Sequence, residues 1–273
     1  VLLFRLAARL HSPGFEEVRG NGNRSRSGKG NGEKIMTGKA DPFWEVVGGY
    51  GVDEVLVLPE WLKVKDRPRP AQPASDTGSS MAKLMEETSG CMLCDLGRTR
   101  KNIVFGEGNP GSGILVIGEG PGATEDETGR PFVGRSGQLL DRILAAVDLD
   151  RNSLYIANIV KCRPPGNRAP TAVEAETCGR ILQRQIDAMD PGVILVLGAS
   201  AARYILDTGR GIGVLRGEFH RWRDIPVLVT YHPAALLRSP ALKRPVWEDM
   251  KMFRSFLNAA GLPRVPDGGE RLV

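Results

Sequence analysis

Four short, nearly uninterrupted apolar runs constrain the fold of this chain more than any other feature. They are Ile114-Leu115-Val116-Ile117, Leu154-Tyr155-Ile156-Ala157, Val193-Ile194-Leu195-Val196-Leu197 and Val227-Leu228-Val229-Thr230. None shows the polar alternation of a strand with one wet face, and each has the length of a strand rather than a helix. Such runs belong to strands covered on both faces, as in a parallel sheet. Amphipathic stretches separate them, over residues 137–147, 171–189 and 199–207, and a last one runs from Val246 to about Asn258, just after Pro245. A helix over residues 81–88 precedes them and is broken by Gly90. Alternating strand and helix predict an α/β fold: a three-layer α/β/α sandwich with a mainly parallel central sheet.

Sheets of this kind bind ligands beyond the carboxyl ends of their strands. The informative loops therefore follow Ile117, Ala157, Leu197 and Thr230. They read Gly118-Glu119-Gly120-Pro121-Gly122, then Asn158 with Lys161-Cys162-Arg163-Pro164-Pro165-Gly166-Asn167-Arg168, then Gly198-Ala199-Ser200, then Tyr231-His232-Pro233 and on to Pro240. The glycine-rich turn is neither a P-loop nor a dinucleotide fingerprint, since no Gly-Lys-Ser/Thr follows and the G-x-G-x-x-G spacing fails. Its small residues permit close backbone approach to a ligand.

Four cysteines, Cys91, Cys94, Cys162 and Cys178, form one C-x2-C pair and two singles with 15 residues between them. A redox pair would open a helix after a strand; this pair follows a helix. Four thiolates suit a zinc ion or a [4Fe–4S] cluster. A chain of 273 residues needs no disulfide staples, so reduced thiols in the cytosol are the expectation. No run approaches the length of a membrane span. The apolar start, Val1 to Leu10, is interrupted by Arg5 and Arg9 and lacks a clear cleavage signal. A net charge of +5 suits nucleic acid without requiring it.

Residues 1–79 read as an extension. Residues 12–42 have linker composition, either a solvated tail or a basic arm that holds DNA electrostatically. Residues 43–62 are locally apolar and residues 66–80 are rich in Pro and Ser. The chemistry is expected in residues 80–262. There, Phe132 is either a core residue or a stacking surface for a flat heterocycle. Asn158 either caps a strand-end turn or pairs with a base edge, since its amide offers a donor and an acceptor together. His232, locked by Pro233, is placed to donate to an oxygen that becomes negative during reaction. Leu236-Leu237-Arg238 offers an apolar wedge and a phosphate-reaching cation.

The motifs Gly-Glu-Gly-Pro-Gly-x2-Glu-Asp-x2-Gly-Arg-Pro-Phe-Val-Gly-Arg-Ser-Gly-Gln-Leu-Leu-Asp (118–141), Asn-Ile-Val-Lys-Cys-Arg-Pro-Pro-Gly-Asn-Arg (158–168) and His-Pro-Ala-Ala-Leu-Leu-Arg (232–238) resemble the family 4 uracil-DNA glycosylases. The resemblance covers roughly residues 80–260 and all four cysteines. It implies a structural [4Fe–4S] cluster on Cys91, Cys94, Cys162 and Cys178, and hydrolytic removal of uracil from single- or double-stranded DNA by a monomer in the cytoplasm. It further implies that Phe132 stacks on the flipped uracil, that Asn158 reads its O4/N3 edge and that His232 stabilises the departing anion at O2. Glu119 and Gly120 form the turn around base and sugar, Glu125 lines the pocket near C5, and Leu236, Leu237 and Arg238 lie on the DNA-entering loop. One departure stands out: Gly120 occupies the place where better-known uracil glycosylases carry a water-positioning Asp, which leaves Glu119 or Glu125 to compensate. The Lys-Arg-Arg-Ile-His segment of the cross-linking branch is absent from the 162–178 region. Two other classes compete: a module that binds uracil-containing or damaged DNA without cleaving it, and a cluster-dependent electron carrier.

Overall fold

In a computed structural model of the chain, residues 74–262 are described; the expectations for residues 1–73 lie outside them. The sheet has six strands: β1 (Glu107–Gly108), β2 (Ile114–Gly118), β3 (Tyr155–Asn158), β4 (Val193–Leu197), β5 (Phe219–Trp222) and β6 (Ile225–Thr230), in the order β1-β3-β2-β4-β6-β5. The four apolar runs are the four central strands, and they pair in parallel. The two outer strands are antiparallel. Neither was legible as an apolar run: β1 is two residues long and β5 carries His220 and Arg221. A two-residue turn joins β5 to β6, with Arg223 and Asp224 both at positive φ, 46° and 65°.

Each central strand is apolar throughout because it feeds two cores. Ile114 and Val116 pack on one face with α4 (Arg135–Ala145) and α9 (Lys243–Ala260), among Leu140, Leu144, Phe253 and Phe256. Leu115 and Ile117 point the other way, toward α1 (Ala74–Thr88), α5 (Ala172–Met189) and α6 (Ala199–Leu206), among Leu84, Leu182 and Ala202. Each such side chain taken out of water contributes about 1.5–3 kcal/mol before conformational entropy is charged against it. This is the three-layer α/β/α sandwich that the alternation predicts. The first helix begins at Ala74, so the boundary expected at residues 79/80 falls inside it. A Ser/Asp-rich stretch suits a first helical turn as well as a linker.

The chain order places the ligand cleft. From β2 the connection runs outward to β3 on one side, and the chain then returns to β4 on the other. Crevices open at such a reversal, outside the carboxyl ends of the strands. Short helices follow these ends: α3 (Ala123–Thr128) after β2 and α8 (Pro233–Arg238) after β6. The helix α2 (Leu96–Thr99) follows the Cys91–Cys94 pair, and α7 (Ile212–Leu215) precedes β5.

Candidate active site

The loops beyond β2, β3, β4 and β6 converge on a cleft of about 610 Å³, within the roughly 300–1,000 Å³ usual for small-ligand sites. Glu119, Gly120, Phe132, Asn158, His232 and Arg238 all line it. Asn158 ends β3 directly opposite Gly118 in the parallel register. It is 1% exposed, and its Oδ1 is buried with no hydrogen-bond partner among the described residues. Leaving a buried acceptor unpaired costs about 1–3 kcal/mol. The site therefore carries a standing demand for a donor. Gly118 is what allows this arrangement, because a Cβ there would run into the Phe132 ring and lie 2.5 Å from Asn158 Oδ1.

Phe132 is 5% exposed and adopts φ +52°, a left-handed conformation rare for an aromatic residue. Its ring centroid lies 5.6 Å from that of His232, at an interplanar angle of 31°. His232 is the N-cap of α8: its Nδ1 accepts the Ala234 N–H at 3.1 Å, and Pro233 fills the first helical position. Burial, reinforced by the nearby Arg238 charge and opposed by Glu125, pushes the imidazole pKa down to about 4. At neutral pH the ring is uncharged. With Nδ1 accepting, its proton resides on Nε2, so the residue is a neutral donor.

Glu125 lines the cleft, but its carboxylate is already engaged. Oε1 accepts the Val133 and Gly134 N–H groups at 2.9 and 2.8 Å, and Oε2 accepts the Gly122 N–H at 3.1 Å. These bonds close the loop from α3 to α4 around Phe132, with Oε1 taking two donors and Oε2 one. Glu119 also lines the cleft, and its carboxylate accepts no hydrogen bond among the described residues. Gly120 is crowded from behind: a Cβ there would come within 2.7 Å of Val160 Cγ2. A carboxylate at this place would displace a β-branched side chain. The departure seen in the sequence thus has a steric partner.

The expected three-residue wedge needs correction. These residues form α8, not a loop, and Leu236 faces the core at 1% exposure, packed with the α4 and α9 cluster. Leu237 is 42% exposed and Arg238 lines the cleft, so these two alone of the three face outward. The first turns of α4 and α6 also reach the cleft through Ser136, Ala199 and Ser200, and neither helix has a side-chain cap. Their open N–H groups favour negative charge in the cleft. The sequence places Ser200 and Tyr231 in the strand-end loops and Ser136 in the first motif but gives none of them a role; all three line the cleft.

On the α5 side of the sheet, all four cysteines line one small cavity together with Gly97, Lys161 and Ile181. None of the four is in a disulfide; Cys162 and Cys178 are buried and Cys91 and Cys94 partly so. Donors approach the sulfurs: the Lys161 N–H reaches Cys178 Sγ at 3.2 Å and Arg100 Nη1 reaches Cys162 Sγ at 3.5 Å. Burial pushes the Cys162 thiol up to about 11 and raises Cys178 as well. Buried thiols of this kind ionise only when a metal takes the proton's place. Among the described residues, no three metal-ligating side chains gather tightly enough to hold a single ion. Lys161 links this cavity to the cleft: fully buried, it donates Nζ to the Asn158 carbonyl at 2.8 Å and to Gln185 Oε1 at 2.5 Å.

The residues that build this cleft fall within a match to a known family. The family model "Uracil DNA glycosylase superfamily" fits residues 105–251, and the chain belongs to that superfamily, whose members hydrolyse N-glycosyl bonds. Within it, the chain is 44% identical over 181 residues to the type-4 uracil-DNA glycosylase of Thermotoga maritima, covering 64% of this chain and 94% of that protein. It is 41% identical over 181 residues to that of Pyrobaculum aerophilum, covering 63% and 92%, and 42% identical over 180 residues to that of Archaeoglobus fulgidus, covering 63% and 90%. The family 4 resemblance of the motifs is thereby borne out. Among the described residues no helix is long and apolar enough to cross a membrane.

Proposed function

We propose that this chain removes uracil from DNA by hydrolysis and leaves an abasic site. The observation that carries this reading is the orphan Oδ1 of Asn158, buried between Phe132 and Gly118. Uracil N3–H supplies the missing donor and O4 accepts from the same amide, whereas cytosine presents the opposite pair. The base must leave the helix to reach this depth. Phe132 stacks on it, and the neutral Nε2–H of His232 donates to O2. As the N-glycosidic bond breaks, its electron pair passes to the base, and the negative charge on O2 meets His232 and the open first turns of α4 and α6. Water then adds to the sugar carbon and loses its proton; Glu119 is the carboxylate available to take it, while Glu125 shapes the loop. No lysine is among the described residues that line the cleft, which supports a hydrolytic reaction without a strand-cutting step. Leu237 fills the gap in the stack and Arg238 reaches a phosphate.

Cys91, Cys94, Cys162 and Cys178 fit a [4Fe–4S] cluster. They share one cavity, and N–H donors reach two of the sulfurs. A four-iron cluster takes one thiolate per iron and so spreads its ligands. When bound, it would cross-link the segment between α1 and α2, the loop after Asn158 and α5.

The absence of an acid at position 120 favours a second reading, a module that binds uracil-containing DNA without cutting it. Uracil release from a single-stranded oligonucleotide, run beside an iron and sulfide determination, decides between them. Tight binding without release at any enzyme excess would overturn the hydrolase reading.

A further inference from the structure

Phe132 is held in its left-handed conformation by two charged side chains, one on each side. Glu125 takes the two following N–H groups. Arg151 takes the carbonyls: Nη1 donates to Pro131 O at 3.0 Å and Nη2 donates to Phe132 O. The Arg151 Nε in turn donates to Asp141 Oδ1 on α4 at 2.9 Å. Glu107 Oε1 of β1 lies 3.8 Å from Arg151, and Glu107 is itself gripped by Arg130 at 2.8 and 2.7 Å. Behind Phe132, Gly137 lets the first turn of α4 press against its carbonyl, where a Cβ would collide.

A bulky residue at positive φ costs of order 1–3 kcal/mol and persists only where its surroundings over-determine it. Here Arg151 supplies half of that determination. Its planar fork reaches two successive carbonyls while a third N–H is anchored to an acid, which an ammonium on a flexible stem cannot reproduce. Arg151 lies outside the cleft, and its side chain is only 19% exposed. It belongs to none of the motifs that point to uracil chemistry.

We propose that Arg151 is a positioning residue for base recognition, fixing the Phe132 ring over Asn158 and beside His232 through the Pro131 and Phe132 carbonyls. Without it, two carbonyls lose their donors, the backbone relaxes from positive φ, and the ring leaves its place above the strand end. The inference rests on Phe132 being the stacking platform, and its test separates the two.

Single-turnover uracil release is measured for the wild-type chain, Arg151→Met, Phe132→Ala and the double variant, with thermal melts alongside. Arg151→Met should slow release by about 10- to 100-fold, the usual cost of a displacement of about 1 Å at a reacting site. In the Phe132→Ala background the same change should cost less than about 2-fold, because the ring it positions is gone. A purely structural arginine would give losses that multiply, and that result overturns the inference. Asp141→Asn, which loosens the Arg151 anchor and keeps both carbonyl bonds, should show a smaller loss that also vanishes with Phe132→Ala. If Arg151→Met fails to fold, that second cycle decides. Unchanged release by Phe132→Ala would overturn the stacking role and this inference together; a slow Phe132→Ala with a fast Arg151→Met overturns the inference alone.

Discussion

Replacing His232 by Ala and by Asn separates its two jobs, helix cap and hydrogen-bond donor. The Nδ1 acceptor holds the Ala234 N–H, so alanine removes a cap worth about 1 kcal/mol as well as the donor. Asparagine can keep the cap with its Oδ1. The catalytic loss belongs to Nε2–H: removing a donor to a developing oxyanion costs about 10²–10³ in rate, roughly 2.7–4 kcal/mol. Both variants should therefore lose single-turnover release by about that factor, while binding to uracil-containing DNA changes little, because the bond strengthens as charge develops. The pH dependence tests the protonation state. With the pKa depressed to about 4, His232 stays neutral from pH 8 down to about 5, so it should impose no step near 6.5 on the rate. Stability carries the matching sign. Below about pH 6.5 the unfolded chain takes up a proton that the folded chain refuses until about pH 4. The contribution of His232 is thus present above 6.5 and is lost as pH falls through 4, and His232→Asn should remove that part of the slope in urea unfolding. A wild-type rate that falls about tenfold per pH unit above 6.5, and a variant rate that does not, would mean that the charged ring is the working form and would refute the argument.

Asn158→Asp should cut uracil release by about 10–1000-fold and raise cytosine release, because a carboxylate accepts from the cytosine amino group; unchanged uracil release would take Asn158 out of recognition. Leu237→Ala should slow release from duplex more than from single strands, since only a duplex has a stack to fill. Leu236→Ala, at a core position, should instead lower stability by about 2–5 kcal/mol in chemical denaturation; equal effects of the two on duplex selectivity would contradict their placement. Anaerobically prepared protein should be brown with about four irons per chain, and Cys162→Ala should lower thermal stability more than it changes base preference; a colourless, zinc-loaded protein would remove the cluster.

The parallel sheet was readable because doubly buried strands leave no room for polar residues, and the cleft followed from the ends of those runs. The edge strands were not readable. Two residues suffice for β1, and β5 alternates Phe219, His220, Arg221 and Trp222 around a turn made by Arg223 and Asp224 rather than by glycine. Motif position brought Phe132, Asn158 and His232 to one cleft, yet it could not tell Leu236 from Leu237. That distinction depends on which side of a six-residue helix faces the core. Nor could it find Arg151, whose contacts to the Phe132 loop are to backbone carbonyls 19 and 20 residues away and so leave no trace in side-chain pattern.

The helix α8 has a mechanical consequence. It carries His232 as its cap at the first end and the exposed Leu237 near its last, with Leu236 as the pin that fastens it to the core. Five residues at about 1.5 Å each set the two ends about 7.5 Å apart along one short rod. Under the proposed function, the side chain that fills the stack and the one that meets the leaving group would share one short rigid element, so a substitution that shifts the helix at Leu237 would also shift His232.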